Sequence, residues 1–403
     1  MTFEPKEILS RRIRALNPSP TMAIDGKAKE MKARGINVIG FGVGEPDFDT
    51  PEPIKSAAIR ALHEGFTKYT PVAGIHDLRT AICEKFKKEN GLHYAPDQVV
   101  VSNGGKHVLF NLALALFQEG DEVIIPAPYW VTYPDQVQLT GATPVILSTR
   151  EEDGFLLTPS LLEKGISPKT KAIIMNSPSN PTGAAYDRRQ MEEIAHVCVK
   201  KGILVISDEI YEHIVYNGFE PVSFAALSPE AYNLTVTVNG LSKSYAMTGW
   251  RIGYAAGPKE IIEACVNLQS QSTSNIASFA QKAAIEALNG DQEPVRTMAE
   301  EFGKRRKYLL ERMDRVPGVR CFHPQGAFYL FPNVSAYVGK KFNGNRINNS
   351  EELAQYLLDE ARVALVPGEA FGAPGYLRIS YAASMEKLRE GMDRIESALK
   401  KLG

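Results

Sequence analysis

Cysteine pairs are missing from this sequence. Its four cysteines, Cys83, Cys198, Cys265 and Cys321, are scattered along 403 residues with no CxxC spacing. That excludes a disulfide framework and a zinc knuckle, and no metal centre is expected. Net charge is missing too: 46 Lys and Arg face 47 Asp and Glu, a formal charge of −1. A broad basic surface for nucleic acid or for an anionic membrane is therefore excluded, and any anion recognition must be local. No apolar run approaches bilayer-spanning length, and the stretch from Met1 to Pro5 lacks the basic and apolar segments of a secretory leader. A reducing cytoplasm is the expected setting. What remains is an ordinary globular composition, 44% hydrophobic and 23% charged, on a chain long enough for a large domain and a smaller companion.

The chain is organised around residues 239 to 253, N-G-L-S-K-S-Y-A-M-T-G-W-R-I-G. The apolar run Leu234 to Val238 leads in as a strand, which places Lys243 where a strand opens into a loop. A lone lysine there reads as a surface amine. Its company changes the reading: Ser242 and Ser244 leave room for a bulky adduct, and Arg251 can pair an anion bidentately. A lysine beside a fixed phosphate site is what pyridoxal 5'-phosphate requires, because its aldehyde is carried by an amine while its phosphate is clamped elsewhere. A second half of such a clamp lies upstream. Val99 to Ser102 reads as a strand running into Asn103-Gly104-Gly105-Lys106 and then a helix through Val108, Leu109 and Leu112, so exposed N–H groups and a positive helix end meet. Neither a Walker loop nor a dinucleotide fingerprint is present, and glycines at such a joint also serve structure alone.

Further strands are expected over 121–126, 141–147, 170–175 and 204–211, alternating with helices such as 187–201. This is an α/β pattern whose ligands gather at the strands' carboxyl ends. Trp130, the turn Asn176 to Gly183 and Asp208 all stand at such ends. Each has a plainer reading, as core aromatic, tight turn and helix cap respectively. In the C-terminal part a long amphipathic helix over 294–315 precedes strands at 326–331 and 375–381, the latter carrying Arg378.

The run S-K-x-x-x-M-T-G-W-R-I-G-Y from Ser242, with the four other motifs in order from Pro18-Ser19-Pro20-Thr21 to Arg378, resembles the class I aminotransferases of fold type I. Within them it is most similar to bacterial aspartate aminotransferases of the branch that includes aspartate/prephenate aminotransferases. The resemblance implies an α/β fold: a large domain with a central, mostly parallel seven-stranded sheet between helices, plus a smaller α+β domain. The expected division is 1–46 as arm and part of the small domain, 47–298 as the coenzyme-binding domain and 299–403 as the small domain. It implies pyridoxal 5'-phosphate on Lys243, with Asp208 beside the pyridine nitrogen, Tyr211 and Asn180 at the phenolic oxygen and Trp130 as a stacking plate. Gly104, Gly105, Lys106, Ser242 and Arg251 surround the phosphate, joined by Tyr69 from a partner subunit, so a homodimer with shared sites is expected. Gly240 departs from the many relatives with serine three residues before the lysine, which thins the phosphate shell.

For the substrate, the resemblance implies Arg378 on the α-carboxylate with Gly44, Asn180 and Trp130 alongside. Lys106 takes the distal carboxylate, helped by Ser19 and Thr21, with Arg12 available to prephenate. Transfer between aspartate and 2-oxoglutarate is the expected reaction. Glutamate- or aspartate-to-prephenate transfer and a broader aromatic or alanine specificity stand as alternatives. A lyase using the same lysine and a non-catalytic ligand-binding regulator are the rivals of other classes, and ammonia release distinguishes the lyase.

Overall fold

The computed structural model describes residues 8–14, 16 and 20–403, with the side chains of 20–23 and 25 also outside the description. Ser19 and the side chain of Thr21 therefore lie outside the described residues.

Seven strands form the central sheet: β1 (Val99–Asn103), β2 (Glu122–Ala127), β3 (Thr143–Ser148), β4 (Thr170–Asn176), β5 (Leu204–Asp208), β6 (Thr235–Gly240) and β7 (Ile252–Ala256). Their spatial order is β1-β7-β6-β5-β4-β2-β3, with β7 antiparallel to both neighbours and the other pairs parallel. The inner strands read as continuous Val/Ile runs because both faces are covered. Val123, Ile125, Ile174 and Ile206 pack on one side with Val108, Leu109 and Leu112 of the helix Gly105–Leu116. Ile124, Ile173 and Val205, one residue out of phase, pack on the other with Met191, Ile194 and Cys198 of the helix Arg188–Lys201. Alternation along each strand thus splits one apolar run between two layers, each buried Ile or Val contributing about 1.5–3 kcal/mol. The 188–201 helix is delimited locally: Asp187 and Gln190 form a reciprocal capping box, and Gly202 ends it in a left-handed conformation.

The smaller core is built from both ends of the chain. Phe302, Leu309 and Met313 of the helix Glu293–Met313 pack with Leu388, Met392 and Ile395 of Met385–Leu399, and Ile39 and Phe41 join them. The short strand Ile39–Gly40 pairs in parallel with Val363–Ala364, which stitches the N-terminal segment to C-terminal residues. Here β8 (Tyr329–Leu330) pairs antiparallel with β10 (Leu377–Ser380), which also pairs β9 (Val366–Pro367).

The strand expected over 326–331 is only Tyr329–Leu330. Ala327 sits at φ 56°, and a Cβ on Gly326 would lie 2.5 Å from the Pro178 ring, so the backbone bends to fit against the 177–183 turn before it straightens. The strand expected through Tyr211 likewise stops at Asp208, where Ile210 N–H turns back to the Asp208 carboxylate at 3.3 Å. Among the described residues no helix is long and apolar enough to cross a membrane.

Candidate active site

A cleft of about 340 Å³ opens at the carboxyl ends of β1, β4, β5 and β6, walled on the far side by Gly42, Val43, Gly44, Tyr329 and Arg378. Its phosphate-sized corner is made by backbone. Gly104 precedes the helix Gly105–Leu116 at φ +85°, and a Cβ there would meet Arg251 Nη2 at 2.6 Å. On β7, a Cβ at Gly253 would run into Gly105 N. Glycine at both places lets the Gly104-Gly105 turn, the first N–H groups of the helix and the guanidinium close on one point. Arg251 is fixed by bonds from Nη1 to Thr248 O (2.9 Å) and from Nη2 to Asn103 O (3.3 Å), with Ser242 buried nearby. At Gly240 a Cβ would stand 2.9 Å from Ile252 O and 3.0 Å from Gly253 Cα. A serine at that position has no room in this chain, which explains the departure noted in the sequence.

Asp208 closes the floor. It is buried at the end of β5 and accepts from Tyr133 Oη at 2.6 Å. Burial pushes its carboxyl up to about 6, against the opposing Tyr133 bond. Lys243, half-buried, donates from Nζ to Gly44 O at 2.5 Å. Burial brings its amine down to about 8, with Glu45 opposing and Arg378 and Arg251 assisting. The lysine is thus poised near neutrality, where an amine is both nucleophilic and able to shuttle a proton.

Arg378 enters from β10. Its Nη1 donates to Asn180 Oδ1 (2.8 Å) and its Nη2 to Gly42 O (2.6 Å), while Nε is buried without a partner among the described residues. The guanidinium lies over the rings of Tyr329 (4.7 Å) and Phe371 (4.9 Å). Asn180 is held in turn by Asn176 Oδ1, which accepts from its backbone N–H at 2.8 Å, and its bond to Pro181 is cis. Trp130 lies edge-on to Tyr133 with ring centroids 5.4 Å apart, and Lys106 Nζ stands 5.0 Å above the tryptophan ring at the cleft rim.

The fold therefore brings Gly44, Gly105, Lys106, Trp130, Asn180, Asp208, Tyr211, Ser242, Lys243, Arg251 and Arg378 around one cavity, with Gly104 immediately behind. Arg12 is exposed and Tyr69 is 91% exposed, and neither lines this cavity. Two lining tyrosines were not read from the sequence. Tyr133, three residues after Trp130 at helical spacing, carried a usable signal. Tyr329, bonded to Tyr211 hydroxyl to hydroxyl at 2.8 Å, carried none, since one tyrosine in an apolar strand reads as core.

Residues 36–395 match the family described as aminotransferase class I and II. The chain belongs to this family. Its relatives include a probable aspartate/prephenate aminotransferase of Aquifex aeolicus, 50% identical over 396 residues (98% of this chain, 99% of the relative). An aspartate aminotransferase of Geobacillus stearothermophilus is 51% identical over 387 residues (96% and 98%). Among solved structures, the Rhizobium meliloti aspartate aminotransferase superposes with a TM-score of 0.95 at 44% identity, covering 98% of this chain and 99% of that one. The Thermus thermophilus aspartate aminotransferase with maleate superposes at 0.90 and 44%, covering 97% and 99%. This aminotransferase uses pyridoxal 5'-phosphate, and the cleft fits it on its own terms: a glycine cradle that a Cβ would fill, an amine near neutrality and a buried carboxylate short of donors.

Proposed function

We propose that this aminotransferase exchanges the amino group of L-aspartate with 2-oxoglutarate, giving oxaloacetate and L-glutamate in a ping-pong cycle. The observation that carries the choice is Lys106. It stands at the cleft rim over Trp130, its pKa lowered by partial burial and by Arg251, and no carboxylate lies within 4 Å of it among the described residues. A substrate's second carboxylate supplies the missing partner.

Pyridoxal 5'-phosphate, when bound, supplies the aldehyde carbon that receives the amino group and the ring that accepts an electron pair from Cα. Gly104, Gly105, Ser242 and Arg251 would hold its phosphate, Trp130 would serve its ring as a stacking plate and Lys243 would carry it. Arg378, with Asn180 and Gly44, fixes the α-carboxylate so that the Cα–H bond is presented to Lys243. The Lys243 amine, lowered to about 8, would take the Cα proton and give it back. Asp208 keeps a proton on the ring nitrogen by charge pairing, and Tyr133 holds that carboxylate still. Tyr211 and Asn180 donate to the phenolic oxygen. Closing the 40–46 segment and Arg378 onto the substrate excludes water.

The working division is 47–298 as the coenzyme domain, with 1–46 and 299–403 as the small domain. Tyr69 is 91% exposed, and Ile59 and Leu62 of the helix Glu52–His63 are exposed as well, which supports a homodimer in which Tyr69 reaches the neighbouring phosphate site. Four free, scattered cysteines support a cytoplasmic setting. Prephenate is a second acceptor favoured by the aspartate/prephenate names of several relatives, with exposed Arg12 as the candidate contact.

The test is a donor and acceptor panel for wild type and Lys106→Ala. The reading requires a selective loss, about 10- to 100-fold in kcat/KM, on aspartate and glutamate with neutral amino acids largely spared. An even loss across the panel would sink it.

A further inference from the structure

Tyr329 joins parts of the cleft that come from opposite walls. Through β8–β10 pairing, Tyr329 opposite Ser380 and Leu330 opposite Ile379, its ring is set beside Arg378, whose guanidinium lies 4.7 Å over it. Its hydroxyl crosses to the large domain and meets Tyr211 Oη at 2.8 Å. That hydroxyl also presses on Gly44, where any Cβ would collide with it, and Gly44 O is the acceptor for Lys243 Nζ. Phe328 packs on the Tyr211 ring at 5.5 Å, and Tyr329 meets its hydroxyl.

Each hydroxyl has one proton to give, so the pair has a direction. Burial raises the pKa of both phenols, which keeps both protonated near neutrality. The cation over the Tyr329 ring makes Tyr329 the more acidic of the two and hence the donor. Tyr211, its oxygen occupied as acceptor, keeps its own proton for the cleft.

We propose that Tyr329 is a positioning residue that donates to Tyr211 and so aims the Tyr211 proton at the coenzyme's phenolic oxygen, linking the arginine that binds the α-carboxylate to the coenzyme. This rests on the role given to Tyr211 above. A carboxylate arriving on Arg378 draws on its charge, weakens the polarisation of Tyr329 and relaxes the Tyr211 bond, so substrate arrival is felt at the coenzyme before any chemistry.

The test is an absorbance titration of the holoenzyme, reading the pH midpoint of the lysine-bound coenzyme's visible band. Tyr211→Phe should raise that midpoint, because a donor to the anionic oxygen is lost. Tyr329→Phe, which keeps the ring under Arg378, should raise it by roughly half a unit to one unit with KM for dicarboxylates within about twofold of wild type. In a Tyr211→Phe background, Tyr329→Phe should add nothing. Tyr329→Leu, which removes the ring as well, should raise KM in addition. An unmoved midpoint in Tyr211→Phe overturns the role of Tyr211 itself. A midpoint that moves in Tyr211→Phe but not in Tyr329→Phe, or two shifts that simply add, overturns the coupling while leaving the reading of the site intact.

Discussion

Asp208 ends β5 and Glu212 stands on the turn that follows, and their surroundings treat them oppositely. Glu212 is saturated: Lys85 Nζ and Asn239 Nδ2 (2.5 Å) bond one oxygen and Asn90 Nδ2 (2.8 Å) the other. Although burial opposes it, Lys85 and the neighbouring His213 hold Glu212 down to about 2. Asp208 has one side-chain donor and one backbone N–H, and burial carries it up to about 6. The two lysines differ in the same way. Lys85 bonds Glu212 and Asn90, whereas Lys243 has a single carbonyl. A charge that serves the fold is given every partner it can use, and a charge that serves chemistry is left short of one so that a ligand completes it.

Removing the lysine from each cluster tests that contrast most directly. Lys243→Ala should lower the half-reaction rate at least about 10⁴-fold while moving stability by less than about 1 kcal/mol, read by stopped-flow absorbance and by denaturant melts. Wild-type interconversion rates in this variant would remove Lys243 from the chemistry. Lys85→Met should do the reverse. It leaves Glu212 buried without its counter-charge and should cost about 3–5 kcal/mol of stability, with the remaining folded enzyme turning over nearly normally. A melt within about 1 kcal/mol of wild type would show that the rear pair is not saturated by Lys85. The pH dependence of that cost has a definite sign: a carboxyl depressed in the folded state contributes stability above its ordinary value of 4.5, lost as pH falls toward 2. The gap between wild type and Lys85→Met should therefore be narrowing already at pH 4.5 and go on narrowing toward pH 2.

A smaller effect sharpens the comparison from the cleft side. An amine attacks an aldehyde only when neutral, and Lys243 is lowered from 10.5 to about 8. The rate at which coenzyme-free protein captures pyridoxal 5'-phosphate should rise with pH to a midpoint near 8, and a midpoint near 10.5 would mean that Lys243 is not desolvated. The smallest change expected is in Asp208→Asn. Since the Asp208 charge raises the lysine's pKa, the capture midpoint should fall by a few tenths of a unit, and an upward shift would contradict the assigned field.

How much of this was legible depended on whether a residue announces itself within its own segment. The glycine pair at 104–105, Lys243 with Arg251, Asp208 at a strand end and the 176–183 turn are local patterns, and one cleft collects them. Six of its central strands were legible for the same reason, from apolar runs alternating with helical periods, whereas the seven-stranded sheet itself was implied by the resemblance, and Ile252–Ala256 was not read as a strand. Tyr329 and the Lys85–Glu212 cluster were not, because their meaning lies in a partner more than a hundred positions away. Tyr69 was legible only through its match to the family, and it stands 91% exposed, outside the cleft lining. The short strand at 329–330 was overestimated since the bend at Ala327 answers to the turn it packs on and not to any local propensity.

The phosphate cradle has a consequence for how the enzyme is made. The strand that leads into Gly104 and the strand that carries Gly253 are neighbours in space, β1 pairing with β7 from Val99↔Ala256 to Asn103↔Ile252, yet the ribosome delivers them far apart. At ~5–20 residues per second, β7 follows β1 after roughly ten to thirty seconds of further translation. Throughout that interval Val99, Val100 and Val101 form the bare edge of an apolar strand, the kind of surface that attracts other nascent chains and chaperones. Vitamin supply gives no relief during it, because the cradle has no second wall for the phosphate until β7 is in place. Closure of the cradle is therefore an event that waits for β7.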